Sequence, residues 1–455
     1  MPNFTAVDKF LESHLTESLE ELKTLTAQPS VAAQNLGMTE TAQLVKEMLQ
    51  TRGFEADLFD TEGFPVVIAQ RRGTSHNTLL IYNHYDVQPA EPFDLWTSPP
   101  FEPEERNGRI YGRGISDDKG HFVSRLLAID ALLDTYGDLP CSIKFILEGE
   151  EEIGSVHLPS FIEKHQDTLS ADACIWEFGG VDHRDIPMQY LGLRGICYVE
   201  LSVQTAAMDV HSGLGGSIFP NAAWRLNWAL STLKGQDEHI NLPDFYDPIL
   251  PPTEMDIQML SELPPVSEEY LSRYGVDKFL KDYQNETELR VASVFEPTCT
   301  ICGLTSGYQG SGSKTVQPAK ASAKVDFRLV PNQTPKQVLN QLRTHLDREG
   351  FPDVEITFLG GGPPARTDPE HPFVKLVVDT SAEAFGAPMQ LVPMVGGSGP
   401  NHAFVNTLKL PVVTAGIGYP GSNAHAPNEN IRITCFSKVQ NISPESFTHL
   451  DKPEG

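Results

Sequence analysis

The chain has 455 residues, of which 40% are hydrophobic and 21% charged, and it carries a formal net charge of −27 with a pI near 4.8. This length exceeds what one hydrophobic core usually supports, so we expect about two or three domains. The negative charge argues against nucleic acid and anionic membranes as partners, because both are bound by clustered Lys and Arg.

Other features predict the cellular setting. Residues 1–9 lack a basic segment followed by an apolar one, and no run approaches the ~18 apolar residues of a membrane span. Six cysteines are too few for a disulfide framework, which favours a reducing cytoplasm. Cys299 and Cys302 form an isolated CxxC in a β-rich run, and we interpret them as ordinary strand cysteines.

The N-terminal part of the chain alternates helical and apolar strand patterns. Helices are predicted at 5–27, 39–53, 121–133 and about 157–165, and strands at 63–70, 78–83, 142–147 and 173–176. A glycine-rich loop is predicted at 99–120. This alternation predicts an α/β fold with a mostly parallel sheet that helices cover on both faces.

The order of elements then changes to strand, helix, strand, strand, helix, strand. The corresponding segments are 197–203, 221–233, 298–303, 321–329, 334–349 and 354–359, with a Pro-rich acidic stretch at 237–285. This order is the ferredoxin-like signature of an α+β domain. A linker at 364–372, a helix at 373–385 and a strand at 410–416 follow, but residues 433–455 show weak helical periodicity where we expect a covering helix.

We therefore predict two domains, one inserted into the other. The α/β domain is discontinuous and consists of residues 1–192 and 362–455. The inserted ferredoxin-like domain consists of residues 193–361.

Four predicted strands run into residues that commonly bind metals. The candidates at the four ends are His84 with Asp86; Glu148, Glu150, Glu151 and Glu152; Glu177; and, after a Gly/Pro turn, His425. Sites in open α/β sheets form outside the carboxyl ends of the strands. Histidines and carboxylates without cysteine suit a hard-to-borderline divalent ion, so the sequence predicts metal-assisted hydrolysis.

The acidic residues also indicate how such a site could work. Asp117, in a glycine-rich loop before a helix, could be a cap or a carboxylate that bridges two metals. Clustered glutamates repel one another unless one binds a metal and a neighbour acts as a base. Asp117, Glu152 and Glu177 supply three negative charges, which two divalent ions and one bridging hydroxide would balance.

Five motifs in this order and spacing resemble a known enzyme family. They are His84-Tyr85-Asp86; Gly112-Arg113-Gly114 with Ser116-Asp117-Asp118-Lys119-Gly120; Glu148-Gly149-Glu150-Glu151-Glu152-Ile153-Gly154-Ser155; Asp209-Val210-His211-Ser212-Gly213; and Ala424-His425. The chain is similar over about residues 5–432 to the co-catalytic metallopeptidase family of carnosinase, cytosolic non-specific dipeptidase, carboxypeptidase G, aminoacylase and succinyl-diaminopimelate desuccinylase. The segments 192–195 and 327–332 resemble the carnosinase and cytosolic dipeptidase branch most.

The resemblance implies a binuclear centre. Each subunit would bind two divalent metal ions, with zinc expected and manganese or cobalt as alternatives. The ligands of one ion would be His84, Asp117 and Glu177, and those of the other Asp117, Glu152 and His425. The resemblance also implies a cis peptide bond after Asp117.

The resemblance further implies the roles of other residues. Glu151 would be the general base, and Asp86 would orient His84. The inserted domain would be a lid and dimerisation domain, from which His211 stabilises the oxyanion in the other subunit of a homodimer. The residues that would receive the substrate's free carboxylate or backbone are Thr315, Arg328, Gly397 and Ser398.

The implied reaction is hydrolysis of dipeptides or small peptides with a free C-terminal carboxylate. An N-acyl-amino-acid deacylase, a desuccinylase or a carboxypeptidase stays open, because Glu177 stands where the dipeptidase branch usually has Asp. Met394 and Val395 also stand at two positions where the dipeptidase branch tends to have a pair of charged residues. A non-catalytic binding homologue is the remaining alternative, against which Glu151 argues, because an inactive site needs no base. The segment 310–315 resembles a phosphate loop but has Ser313 where that motif requires Gly.

Overall fold

The computed structural model describes residues 4–438. Its helices are α1 (Phe4–Ala27), α2 (Met38–Gln50), α3 (Lys119–Tyr136), α4 (Leu158–Lys164), α5 (Gln166–Leu169), α6 (Ser212–Gly215), α7 (Ala222–Leu233), α8 (Glu254–Glu262), α9 (Ser267–Tyr274), α10 (Glu286–Phe295), α11 (Pro335–Arg348), α12 (Pro372–Phe385) and α13 (Ile433–Lys438). A π-helical turn spans Ala403–Thr407.

The strands form one large sheet, one four-stranded sheet and several small ones. They are β1 (Glu55–Phe59), β2 (Val66–Arg71), β3 (Thr78–His84), β4 (Glu104–Arg106), β5 (Arg109–Tyr111), β6 (Ser142–Glu148), β7 (Ala173–Trp176), β8 (Gly180–Val181), β9 (Pro187–Tyr190), β10 (Gly192–Leu193), β11 (Gly195–Gln204), β12 (Val210–His211), β13 (Thr298–Ser306), β14 (Val316–Gln317), β15 (Lys320–Leu329), β16 (Glu355–Gly362), β17 (Ala365–Arg366), β18 (Gln390–Val392), β19 (Val412–Thr414) and β20 (Asn430–Arg432).

The chain divides into two compact units. Within the described residues, the first unit contains the segment up to Gly192, the segment Arg366–Pro393 and the segment from Pro400 onward. The second unit contains Leu193–Ala365 and Met394–Gly399.

The first unit is built on a six-stranded sheet with the order β1-β2-β6-β3-β7-β19. The strands β6, β3, β7 and β19 run parallel to one another, as the sequence predicts. At one edge, β2 pairs antiparallel with β6, and β1 pairs antiparallel with β2. The sequence did not predict β1, because only one of its five side chains is buried and two of them are acidic.

Burial explains why the central strands form where they do. All residues of β3 after Thr78 are buried, and so is the whole of β7. Such continuous apolar runs are typical of parallel strands that are covered on both faces. Helix α2 packs against β1 and β2, and α12 packs against β9 and β19.

The register of the parallel strands determines what lies at their ends. Residue His84 of β3 pairs with Glu148 of β6, so these two strands end at the same level. Strand β7 pairs with β3 on one side and with β19 on the other. The carboxyl ends of four neighbouring strands therefore lie side by side in the first unit.

The loop predicted at 99–120 has more structure than expected. It contains β4 and β5, which form a small antiparallel sheet with β20. These strands have three residues each, too few for periodicity to reveal them. Helix α3 begins at Lys119, and the peptide bond between Asp117 and Asp118 is cis, in agreement with the prediction.

The second unit contains a four-stranded antiparallel sheet with the order β13-β15-β11-β16. Alternate residues of β11 are buried, and with α7 and α11 they form one core on one face of the sheet. The acidic stretch 237–285 contains α8 and α9, and the sequence missed α10, which Asn285 caps by accepting a hydrogen bond from the backbone N–H of Glu288. Cys299 is buried and Cys302 exposed, as expected of strand residues three apart.

Two further predictions concern the whole chain. Among residues 4–438, no helix combines the length and apolar character needed to cross a bilayer. In the C-terminal segment predicted to be atypical, the structure describes the helical residues Ile433–Lys438, and residues 439–455 lie outside the described part of the chain.

Candidate metal centre

The ends of the parallel strands bring together the residues that the sequence selects as metal ligands. His84 is the last residue of β3, and Glu152 lies in a 3₁₀ turn that follows β6. Glu177 directly follows β7, and His425 lies in the loop between β19 and β20. All four belong to the first unit.

Asp117 lies between two of these side chains. One carboxylate oxygen, Oδ1, is 3.0 Å from Nε2 of His84, and the other, Oδ2, is 3.0 Å from Nε2 of His425. Burial favours the neutral acid, but hydrogen bonds with the two histidines hold the pKa of Asp117 well below its usual range. A carboxylate that faces a histidine on each side has the arrangement of a ligand shared by two ions.

On the His425 side of Asp117, three potential ligand atoms lie close enough together to bind one ion. Nε2 of His425 also lies 3.0 Å from Oε2 of Glu152. One ligand atom each of Asp117, Glu152 and His425 lies within 4.8 Å of the others, the single such group of three among residues 4–438. Gln88 donates a hydrogen bond to Oε2 of Glu152 at 2.8 Å and so holds this carboxylate in place.

Asp86 connects the histidine side of the centre with the glutamate turn. Its two carboxylate oxygens accept hydrogen bonds from the backbone N–H groups of Glu151 at 3.2 Å and Glu152 at 3.0 Å. The same carboxylate lies 3.4 Å from Nδ1 of His84, and the backbone oxygen of Asp86 lies 3.0 Å from it. Asp86 is thus placed to orient His84, and it also determines where Glu151 and Glu152 lie.

Glu177 is buried without the partners that a buried carboxylate normally has. Its side chain is 7% exposed, and its Oε2 has no hydrogen-bond partner among the described residues. Burial raises the pKa of Glu177 well above its usual range, and the charge of Glu151 adds to the effect. Buried polar atoms without partners are rare in proteins, and a bound cation would satisfy this one.

The other carboxyl groups show the same excess of negative charge. Burial, together with the charges of Asp117 and Glu152, raises the pKa of Glu151 to about 8. Contacts with Asp117 and Glu152 raise the pKa of His425 to about 10. The centre thus holds more carboxylates than cations, which a divalent ion would correct. Its geometry and its charge both fit metal binding.

Sequence reasoning missed a buried arginine that supports the centre. Arg125 of α3 donates hydrogen bonds to the backbone oxygens of Tyr82 in β3, Trp176 in β7, Glu177 and Ala415, which follows β19. One guanidinium therefore joins the ends of three of the four strands. A basic residue in an apolar helix was the only sequence signal.

A second missed residue is Glu429. Its carboxylate is buried and accepts hydrogen bonds from the loop that carries Asp117. Glu429 is the only charged residue between His425 and Arg432, which is the signal that could have pointed to it.

The predicted substrate residues all belong to the second unit, and they form two groups there. His211 is exposed, and the backbone N–H of Ser212 donates a hydrogen bond to the carbonyl of Thr315 at 3.1 Å, since β12 pairs with β14. Arg328 donates a hydrogen bond to the hydroxyl of Ser398 at 2.8 Å, and Gly397 beside it is exposed.

The sequence profile of peptidase family M20/M25/M40 matches residues 80–443, which is well over half of the chain. The protein belongs to this family. It is therefore an enzyme that hydrolyses peptide bonds, as its resemblance to co-catalytic metallopeptidases predicts.

Individual members of the family show how far the similarity extends. The M20 family metallo-carboxypeptidase Sso-CP2 of Sulfolobus solfataricus is 38% identical, with 95% of this chain and 98% of that chain covered and a TM-score of 0.90. The Beta-Ala-His dipeptidase of Rattus norvegicus is 31% identical over 65% of this chain, and this alignment spans only 62% of the rat protein. The Cys-Gly metallodipeptidase dug1 of Schizosaccharomyces pombe is 28% identical, with 82% and 80% covered.

Proposed function

We propose that the protein hydrolyses the amide bond of dipeptides or small peptides that have a free C-terminal carboxylate, with two divalent metal ions bound at the strand ends. One observation carries this proposal: the two oxygens of Asp117 face His84 and His425, each at 3.0 Å. The relatives named as dipeptidases support the substrate class.

The ligand sets are those that the family resemblance implies. His84, Asp117 and Glu177 would hold one ion, and Asp117, Glu152 and His425 would hold the other. The contacts of Asp117 with both histidines and of His425 with Glu152 support this assignment. Zinc suits imidazole and carboxylate ligands, and manganese or cobalt are alternatives. Bound ions would polarise the scissile carbonyl and make a water acidic enough to attack it.

Glu151 is the general base in this proposal. It neighbours the ligand Glu152, and its backbone is held by Asp86. Glu151 takes a proton from the attacking water and passes it to the leaving amine, which is how a single carboxylate serves both half-steps of amide hydrolysis.

Recognition of the substrate's carboxylate is assigned to Arg328. Its planar guanidinium can bind a carboxylate through two parallel hydrogen bonds. Ser398 holds Arg328, and the hydroxyl of Ser398 in turn donates to the backbone oxygen of Gly195 at 3.1 Å. Arg194 donates to the carbonyl of Gly396 at 3.1 Å and so supports the loop of Gly397 and Ser398. Thr315 and Gly397 complete the substrate contacts.

We assign to the second unit, Leu193–Ala365 with Met394–Gly399, the role of the ferredoxin-like lid and dimerisation domain predicted at 193–361. The first unit takes the role of the catalytic domain predicted at 1–192 and 362–455. His211 stabilises the oxyanion in the active site of the partner subunit. The exposed position of His211 and the presence of Trp224 and Trp228, 59% and 54% exposed on α7, support an interface on this unit. The cytoplasmic location and the absence of nucleic-acid and membrane partners stay predictions from the sequence.

A carboxypeptidase that removes single residues from longer peptides is the second candidate. Two observations favour it: Glu177 stands where the dipeptidase branch usually has Asp, and Sso-CP2, a metallo-carboxypeptidase, is 38% identical over nearly the whole chain. The two candidates differ in whether free dipeptides or longer and N-acylated peptides are preferred.

A substrate panel tests the proposal. The protein, loaded with zinc, manganese or cobalt, is assayed against dipeptides, tripeptides, N-acylated dipeptides, N-acylated amino acids and C-terminally amidated dipeptides. We expect cleavage of free dipeptides, loss of activity on chelation and little cleavage of the amides. Preference for N-acylated dipeptides and tripeptides would establish the carboxypeptidase. Preference for N-acylated amino acids would establish the deacylase, and full activity without metal would refute the metal mechanism.

Mixed dimers test the role of His211. A Glu151→Gln chain and a His211→Ala chain are each expected to be nearly inactive. If His211 acts in the partner's site, a heterodimer has one site with both substitutions and one with neither. Mixing after dissociation should then restore up to about half of the wild-type activity per heterodimer. Heterodimers without recovered activity would show that His211 does not act across the interface.

A further inference from the structure

The carboxylate of Glu429 is surrounded by the loop that carries Asp117. Its Oε2 accepts hydrogen bonds from the Arg113 guanidinium at 2.7 Å and from the backbone N–H of Gly114 at 3.0 Å. Its Oε1 accepts from the backbone N–H groups of Ser116 at 2.9 Å and Asp117 at 3.0 Å. Four donors within five residues of chain therefore point at one carboxylate.

The loop has little freedom to adopt another shape around this carboxylate. Gly114 has φ of +79°, and a Cβ at this position would lie 2.2 Å from Cγ1 of Val87. Glu429 and Arg113 have side chains only 1% exposed, so water cannot replace the missing partner if either is removed. The carboxylate that accepts the hydrogen bond from the backbone N–H of Asp117 is therefore held in place by its buried ion pair with Arg113.

We propose that Glu429 is a positioning residue for the metal pair. By holding the backbone of Ser116 and Asp117, it places the Asp117 carboxylate between His84 and His425 and so sets the affinity for both ions. This inference rests on the proposed function, because it assumes that Asp117 is a shared ligand. Residues that orient metal ligands from behind typically change metal affinity or activity about 10–100-fold when substituted.

The charge of Glu429 is essential to this role. An ionised carboxylate has only acceptors, with about four lone-pair sites, which matches the four donors of the loop. The amide of Gln has one oxygen that accepts and one NH₂ group that donates. In Glu429→Gln, an NH₂ group therefore faces two of the loop's donors, and the loop must move away from it.

A purely structural ion pair would behave differently from a positioning residue. Arg113→Lys keeps a cation beside Glu429 and leaves the three backbone hydrogen bonds intact, so metal affinity should be retained. Glu429→Gln keeps the size of the side chain but disturbs one or two of those three bonds, depending on which oxygen the NH₂ group replaces. Glu21→Gln is the control, because it also replaces a glutamate that pairs with an arginine. Glu21 lies on α1, not at a strand end, and forms an ion pair with Arg52 at 2.8 Å.

The test measures metal binding without reference to activity. Zinc stoichiometry and dissociation constants of the full-length wild type and the three variants are measured by competition with a chromophoric chelator, and circular dichroism verifies the fold. We expect the affinity of Glu429→Gln to fall by about 10–100-fold, and that of Arg113→Lys and Glu21→Gln to stay at the wild-type level. A folded Glu429→Gln with wild-type zinc affinity would overturn the proposal, as would an equal loss in Arg113→Lys.

A second variant protects the test against misfolding. Glu429→Asp keeps the charge beside Arg113 but is one methylene shorter, so it cannot reach all four donors. If Glu429→Gln does not fold, weaker zinc binding by folded Glu429→Asp supports the proposal, and unchanged binding rejects it. Failure of both variants to fold would make Glu429 a folding determinant and also reject the proposal. A wild type that binds no zinc would instead refute the metal centre itself.

Discussion

Replacing Arg125 should reveal how strongly the strand ends depend on one buried cation. Arg125→Met replaces the arginine with a long, uncharged side chain that has no hydrogen-bond donor. Five acceptors lose the hydrogen bond that Arg125 donates: the backbone oxygens of Tyr82, Trp176, Glu177 and Ala415, and the side-chain oxygen of Asn83. The substitution thereby loosens three strands at the level where they deliver metal ligands.

The magnitude follows from these acceptors. Each buried hydrogen bond that is lost costs about 1 kcal/mol, which gives about 5 kcal/mol for five. Relaxation around the smaller side chain reduces this sum, so we expect the free energy of unfolding to fall by about 3–5 kcal/mol, as when a buried charge network is broken. The metal-free protein is the right sample, because bound ions would add their own stabilisation.

Urea denaturation followed by tryptophan fluorescence measures the effect, because Trp96 and Trp176 lie in the first unit and Trp224 and Trp228 in the second. Arg225→Met is the matched control, since Arg225 pairs with Asp353 near the surface, where their side chains are 28% and 47% exposed. Such a pair should contribute no more than about 1 kcal/mol. If Arg125→Met also costs less than about 1 kcal/mol, the strand ends do not depend on this guanidinium, and the reasoning fails.

Two further predictions concern the site, and a third concerns His121, a buried histidine of α3. Glu151→Gln should retain both metals but lower turnover by at least ~10²-fold, whereas Glu152→Gln should lose metal. Kinetics measures the turnover of each variant, and elemental analysis measures its metal content. If the two variants show each other's expected phenotype, the two roles are assigned to the wrong residues. Arg328→Lys should raise KM for free dipeptides and leave the kinetics of amidated analogues unaffected, because Lys lacks the planar guanidinium that binds a carboxylate. An equal loss of activity on free and amidated dipeptides would indicate that Arg328 has a structural role. Burial lowers the pKa of His121 to about 3 from 6.5, so its contribution to stability is complete above pH 6.5 and is lost as the pH falls towards 3. Metal-free His121→Gln should therefore lose less stability than wild type between pH 6.5 and 3 in urea denaturation, and parallel curves would contradict this.

The parallel sheet could be predicted because its strands are buried on both faces. Strand β3 has an apolar run from Leu79 to Tyr82, and polar Asn83 and the ligand-type residue His84 end it. The rule that sites form at the carboxyl ends of parallel strands then predicts that His84, the glutamates at 148–152, Glu177 and His425 lie together. The choice of Glu152 as the ligand among these glutamates came from the family resemblance. The edge strand β1 escaped prediction because its mostly exposed side chains do not show this pattern.

The supporting residues could not be predicted in the same way. Arg125 and Glu429 act through hydrogen bonds to backbone groups. Almost every residue has the same backbone groups, so the residue types at those positions do not reveal such partners. Glu429 is more than 300 residues from the loop that it holds, as the separation of 312 residues from Asp117 shows. Local patterns identify ligands at strand ends, but they do not identify the residues that hold those ligands in place.

The role of Asp117 as a ligand shared by two ions is the centre of this account. The most direct measurement is an anomalous-difference map of crystals of the zinc-loaded protein, collected at the zinc absorption edge. The account predicts two peaks, about 3.5–4 Å apart, one on the His84 side of Asp117 and the other on the His425 side. A single peak, or two peaks that do not share Asp117, would contradict it.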